Sequence, residues 1–144
     1  MKNTLLIFLL FTVFGTALRG QSRQFVFSFN PKKLIQDNKL DMSHKEEVIF
    51  NLYDIEGKET KYIMLDKTSD ALRKAKIFTF KGKSEDGTKL MTLTIASGKL
   101  TGSYLENGKA YFIEPLKENC KKKYKIYSKP DGEYKVGQPI DFVK

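Results

Sequence analysis

Residues 93–116 read LTIASGKLTGSYLENGKAYFIEPL. Runs of alternating character are separated here by two tight turns. Met91, Leu93 and Ile95 share one face, with Leu90, Thr92 and Thr94 on the other, and that period of two is strand spacing. Ser97-Gly98 turns the chain, Leu100–Leu105 returns, Glu106-Asn107-Gly108-Lys109 turns it again, and Ala110–Ile113 follows. Asn-Gly between alternating runs suits a two-residue type I′ turn, in which both central residues need positive φ. Three consecutive strands with short turns predict an antiparallel meander.

The same period extends outward from this segment. Gln24–Phe29 places Phe25, Phe27 and Phe29 on one face, and Asn30-Pro31 stops that strand. Glu47–Tyr53 sets Val48, Phe50 and Leu52 against Ile49 and Tyr53. The Asp54-Ile55-Glu56-Gly57 turn then leads into Lys61–Leu65, a hairpin. Thr68, Ser69 and Asp70 can cap a helix of about two turns at most over Ala71–Ala75. A strand over Lys76–Phe80 follows, then a loop through Gly82 and Ser84-Glu85-Asp86-Gly87. Tyr124–Tyr127 is a last strand, ahead of a Lys129-Pro130-Asp131-Gly132 turn and a polar tail. The expected fold is mainly β: a single antiparallel β-sandwich or open barrel of about eight strands with one short helix.

The 144 residues suffice for one domain. Residues 1–20 read as a signal peptide: Lys2, then a run from Leu5 to Phe14 that is apolar except for Thr12, then small residues at Gly15, Thr16, Ala17 and Gly20. The run is too short to span a bilayer, which takes roughly 20 residues, so no stable membrane anchor is expected. Cleavage after Gly20 gives a mature β domain over residues 21–144, exported to the periplasm or the extracellular space; cleavage after Ala17 is the alternative. The formal net charge is +9, with 26 basic and 17 acidic residues. The basic residues are 23 Lys and 3 Arg. Guanidinium forks suit base and phosphate recognition better than ammonium groups, so specific nucleic-acid binding is not expected. The lysines alternate with acids and read mainly as a solvated surface.

Chemistry-bearing motifs are sparse. The one histidine, His44, lies in DMSHKEEV, without the His-Glu-x-x-His spacing of a zincin. Neither a G-x-S-x-G elbow nor a phosphate-binding glycine loop occurs. The single cysteine, Cys120, excludes an intramolecular disulfide. It is open to packing, to pairing with another chain, or to use as a thiol, and a Cys120–His44 pair requires only that the two meet in the fold. No catalytic site and no cofactor are expected.

Phe80–Gly87 (FKGKSEDG), Leu93–Leu116 and Tyr124–Tyr127 (YKIY) together resemble the propeptide of reprolysin/ADAM-type zinc metalloproteases. Upstream, the segment VIFNLYDIEGKETKYIMLDKTSDALRKAKIFTFKG, from Val48 to Gly82, looks like the variant found ahead of secreted bacterial enzymes of that type. The likeness spans about Val48–Tyr127, and the order and spacing of its short motifs carry it. It implies a non-catalytic domain that assists folding and keeps a zinc metalloprotease catalytic domain latent. The chain ends at Lys144 without a zinc motif, so the resemblance implies action in trans or the front piece of a split gene. Such propeptides often carry a zinc-blocking thiol. Cys120 is the one candidate for that metal role, although it precedes Tyr124–Tyr127 and is followed by three lysines, a different register. The last third, Cys120–Lys144, is the expected contact region. The reading from a different class is a secreted basic β-sandwich module that binds acidic glycans or a surface partner.

Overall fold

The computed structural model describes residues 23–119 and 121–128. Eight strands form one antiparallel sheet: β1 (Gln24–Ser28), β2 (Glu47–Tyr53), β3 (Glu59–Asp66), β4 (Phe78–Ser84), β5 (Lys89–Ala96), β6 (Lys99–Glu106), β7 (Lys109–Pro115) and β8 (Lys123–Tyr127). Their spatial order is β1-β8-β7-β6-β5-β4-β3-β2. Every strand from β2 to β8 therefore pairs with its sequence neighbour, and β1 joins the far side of β8 with Gln24 opposite Tyr127 and Ser28 opposite Lys123. The sheet curls into a half-barrel. Of the two expected architectures, this is the open barrel.

The meander forms as its sequence predicts. Asn107 (φ 50°) and Gly108 (φ 75°) both occupy the left-handed region that a type I′ turn requires. Met91, Leu93 and Ile95 turn inward and are buried with Phe27, Phe50, Phe80 and Tyr104 in one aromatic-rich core. The curl depends on two inward positions that lack side chains. Gly82 in β4 lies opposite Met64 and Met91, and Gly102 in β6 lies opposite Leu93. A Cβ on Gly82 would stand 2.1 Å from the Ile63 carbonyl oxygen, and one on Gly102 2.3 Å from that of Thr92. These contacts show β4 and β6 pressed against their neighbours more closely than any side chain permits. Gly82 is thus part of β4, which continues to Ser84 rather than ending in a loop after Phe80.

The described residues form two helices, one more than expected. Asn30-Pro31 does stop β1, but it also opens α1 (Pro31–Asp37). The Asn30 side chain accepts a hydrogen bond from the Lys33 amide, and Pro31 takes the first turn, where a missing N–H costs nothing. The second helix, α2 (Asp70–Lys74), is the expected one. Ser69 caps it by accepting from the Leu72 amide.

Although β1 and β2 are neighbours in sequence, they are the two outer edges of the sheet. The curl brings them face to face, and aromatic rings bridge the seam. Ring centroids lie 5.6 Å apart for Phe25–Tyr53, 5.9 Å for Phe27–Tyr53 and 6.1 Å for Phe29–Phe50. No backbone ladder joins β1 to β2 among the described residues.

Candidate docking site

Among the described residues the seam leaves two strand edges with backbone groups to spare. The Asp54 amide donates to the Lys58 carbonyl at 3.0 Å and closes the β2–β3 hairpin. Counting back through the register, Leu52, Phe50 and Val48 exchange hydrogen bonds with β3, and Ile49, Asn51 and Tyr53 turn their N–H and C=O groups toward the seam. On the other edge, the Phe29 amide donates to the Lys122 carbonyl at 2.9 Å. By the same alternation Gln24, Val26 and Ser28 face the seam from β1. Alongside β2 lies a groove of about 350 Å³, lined by Phe29, Lys33, Leu34, Asp37, Ile49 and Asn51 among others. An edge strand beside a helix, with free donors and acceptors and a groove of mixed apolar and polar lining, can accept an added strand.

Two buried polar clusters lie elsewhere. The Asp66 side chain is fully buried at the end of β3, where it accepts from Arg73 Nη2 at 2.8 Å, the Thr68 amide at 2.9 Å and the Lys45 amide at 3.3 Å. Arg73 also donates to the carbonyls of Leu40 and Ser43. The pair thereby ties the loop between α1 and β2 to α2. Burial pushes the Asp66 carboxyl up, but the bonds from Thr68, Arg73 and Lys45 outweigh it and hold the group below the usual carboxylate range. His44 is exposed, as a lone histidine in a polar stretch should be, yet its Nδ1 lies 3.5 Å from Asp66 Oδ2.

The second cluster closes the opposite end of the half-barrel, where three hairpin turns meet. Lys89 Nζ lies 2.9 Å from Glu106 Oε1 and 3.9 Å from Asp54 Oδ2, and Asp54 also accepts from the Glu56 and Lys58 amides. Burial lowers the Lys89 pKa, and Glu106, Asp54 and Asp86 raise it, with the three carboxylates prevailing. Beside them the Tyr104 hydroxyl accepts from the Ile55 amide at 2.9 Å. The buried Tyr62 hydroxyl has no hydrogen-bond partner among the described residues. Its pKa is pushed far up by burial, then by the charges of Tyr104, Asp54, Glu106 and Asp86. An unpartnered buried hydroxyl costs about 1–3 kcal/mol. Tyr62→Phe should therefore leave the urea midpoint unchanged or raise it; a loss above about 1 kcal/mol would show that the hydroxyl is satisfied. Both clusters pair their charges internally, and their geometry serves to fasten loops and turns.

No protein-family model, curated protein or solved structure matches this chain. The assignment of function therefore rests on the residues and their arrangement. Cys120, the candidate zinc-blocking thiol, lies outside the described residues, as do most of the expected contact region Cys120–Lys144 and the signal peptide 1–20. Among the described residues no group of three or more His, Cys, Asp or Glu is placed to hold a metal ion. The partner that the structure brings to His44 is Asp66, 22 residues away, a contact that depends on the loop held by Arg73. Sequence reading also missed the seam. Its one signal was the three-phenylalanine face of Gln24–Phe29, more aromatic than a strand at an ordinary exposed edge requires.

Proposed function

We propose that this is an exported, non-catalytic docking domain that holds a partner protein by adding an extended segment of it to the open β1–β2 seam. The observation that carries this reading is the free edge of β2, with the backbone groups of Ile49, Asn51 and Tyr53 facing a groove floored by Phe29 and Leu34. Main-chain pairing along such an edge supplies affinity, and the groove beside it supplies selectivity. The resemblance to reprolysin-type propeptides gives this mode a specific form: a domain that acts in trans and keeps a zinc metalloprotease latent. The stretch that carries the resemblance, Val48–Tyr127, runs from β2 to β8 and so includes the free edge. The alternative, an acidic-glycan module, is weakened because several lysines are already matched, Lys61 with Glu85 at 2.8 Å, Lys89 with Glu106 at 2.9 Å and Lys125 with Glu114 at 3.9 Å.

The test is capture from the organism's own secretome by immobilised residues 21–144, wild type and Asn51→Pro, at low and high salt. Proline at 51 removes an N–H that points away from β3, so the sheet retains its ladder while the docking edge loses a donor. The expected result is salt-resistant capture of a zinc metalloprotease with reduced activity, lost in Asn51→Pro. Capture unaffected by Asn51→Pro would remove the partner from the seam. Capture of acidic polymers alone, lost at high salt, would overturn the reading in favour of a polyanion module.

A further inference from the structure

The outer face of the sheet carries a second feature, which meets the seam only at Ile49. Strand registers align Ile49, Ile63, Lys83, Leu90, Leu105 and Ala110 in one row across six strands, each directly opposite the next. The adjacent row sets Leu65 between Glu47 and Lys81. These apolar groups point away from the core: Leu90 is 58% exposed, Leu65 and Leu105 44% each. Lys81 and Lys83 are exposed between them and make no ion pair among the described residues. A contiguous patch of leucine and isoleucine around two ammonium groups is the kind of exposed apolar surface that marks an interaction site.

We infer that this wall is a reversible docking surface for a bilayer with anionic headgroups. Three observations select that occupant. The wall is the outside of a curled sheet and therefore convex, with Leu90 and Leu105 standing out from its middle strands. Its free cations, Lys81 and Lys83, are point charges on flexible stems that reach a headgroup layer while the neighbouring leucines enter the acyl boundary, and they outnumber the carboxylate beside Leu65, Glu47. The charge is complementary: residues 21–144 hold 24 basic and 17 acidic residues, a net +7, which attracts an anionic surface and opposes pairing of this wall with a second copy. Among the described residues no helix is long and apolar enough to cross a membrane; the association proposed is peripheral and uses strands.

The experiment is co-sedimentation of residues 21–144 with phosphatidylcholine vesicles, with and without phosphatidylglycerol, using the wild type, K81E/K83E and L90Q/L105Q. Both double variants change exposed side chains, and their thermal unfolding should match the wild type. Wild type should bind the phosphatidylglycerol vesicles and release as salt is raised. K81E/K83E should weaken partitioning at least about tenfold, and L90Q/L105Q by about tenfold. Lack of binding to phosphatidylglycerol vesicles at low salt would overturn the inference. So would binding indifferent to both variants. Loss in K81E/K83E with L90Q/L105Q unchanged would mean a patch for soluble polyanions rather than a lipid surface, and would overturn it equally.

Discussion

Arg73→Met is expected to cost about 3–5 kcal/mol in urea unfolding at pH 7. Arg73 is nearly buried and its partner Asp66 fully so. Removing the guanidinium leaves a carboxylate enclosed with Thr68, the Lys45 amide and the more distant His44 ring, while the carbonyls of Leu40 and Ser43 lose their donor. The sign of the pH dependence follows from the lowered Asp66 pKa. A carboxyl depressed in the folded state adds stability that is fully present above its unfolded value, about 3.9, and is lost as pH falls through the folded one. The wild type should therefore lose this contribution on acidification below about pH 4. Arg73→Met should be less sensitive there, because its Asp66 can protonate with little loss. The exposed pairs Arg23–Glu56 and Lys61–Glu85 set the scale for comparison; deleting either should change stability by about 0–1 kcal/mol. A loss that small for Arg73→Met would mean that the loop carrying His44 is not fastened by this pair.

Gly82→Ala is expected to destabilise by about 3 kcal/mol, the upper end of overpacking penalties. The new methyl group would meet the Ile63 carbonyl oxygen at 2.1 Å and Met64 Cα at 2.7 Å. Both are backbone atoms, so neither can swing aside, and β3 and β4 would have to separate. Gly108→Ala provides a control with a different cause. A Cβ there meets nothing within 4 Å, and the cost comes only from holding alanine at φ 75°, about 1–2 kcal/mol. Thermal or urea unfolding of the two variants side by side tests the distinction. Equal losses would mean that close strand approach at Gly82 does not govern the curl. The same FKGKSEDG stretch contributes to the propeptide resemblance, so its glycine has a sufficient reason in sheet geometry alone. That part of the likeness speaks to fold before it speaks to activity.

Much of the architecture was legible because it is local. Alternation along Gln24–Phe29, Glu47–Tyr53 and Leu90–Ile95 marks strands whatever surrounds them, and Asn107-Gly108 chooses its turn from the backbone needs of two residues. Asn30-Pro31 was ambiguous, since the pair that ends a strand is also a good helix start. Gly82 misled, because a glycine in a polar stretch looks like a loop until a neighbouring carbonyl is seen 2.1 Å from where its Cβ would be.

The sequence by itself determined that the chain is a mainly β domain, which faces of its strands turn inward, and where its hairpins bend, all consequences of side-chain period and turn stereochemistry. Only the tertiary structure decided that β1 crosses to β8, that the sheet stays open between β1 and β2, that Asp66 meets Arg73, and that Leu90 and Leu105 align with Lys83 across separate strands. The reason is physical. Alternation fixes the face on which a side chain lies, but a sheet's closure and its cross-strand rows follow from register and curl, which depend on contacts between residues far apart in the chain.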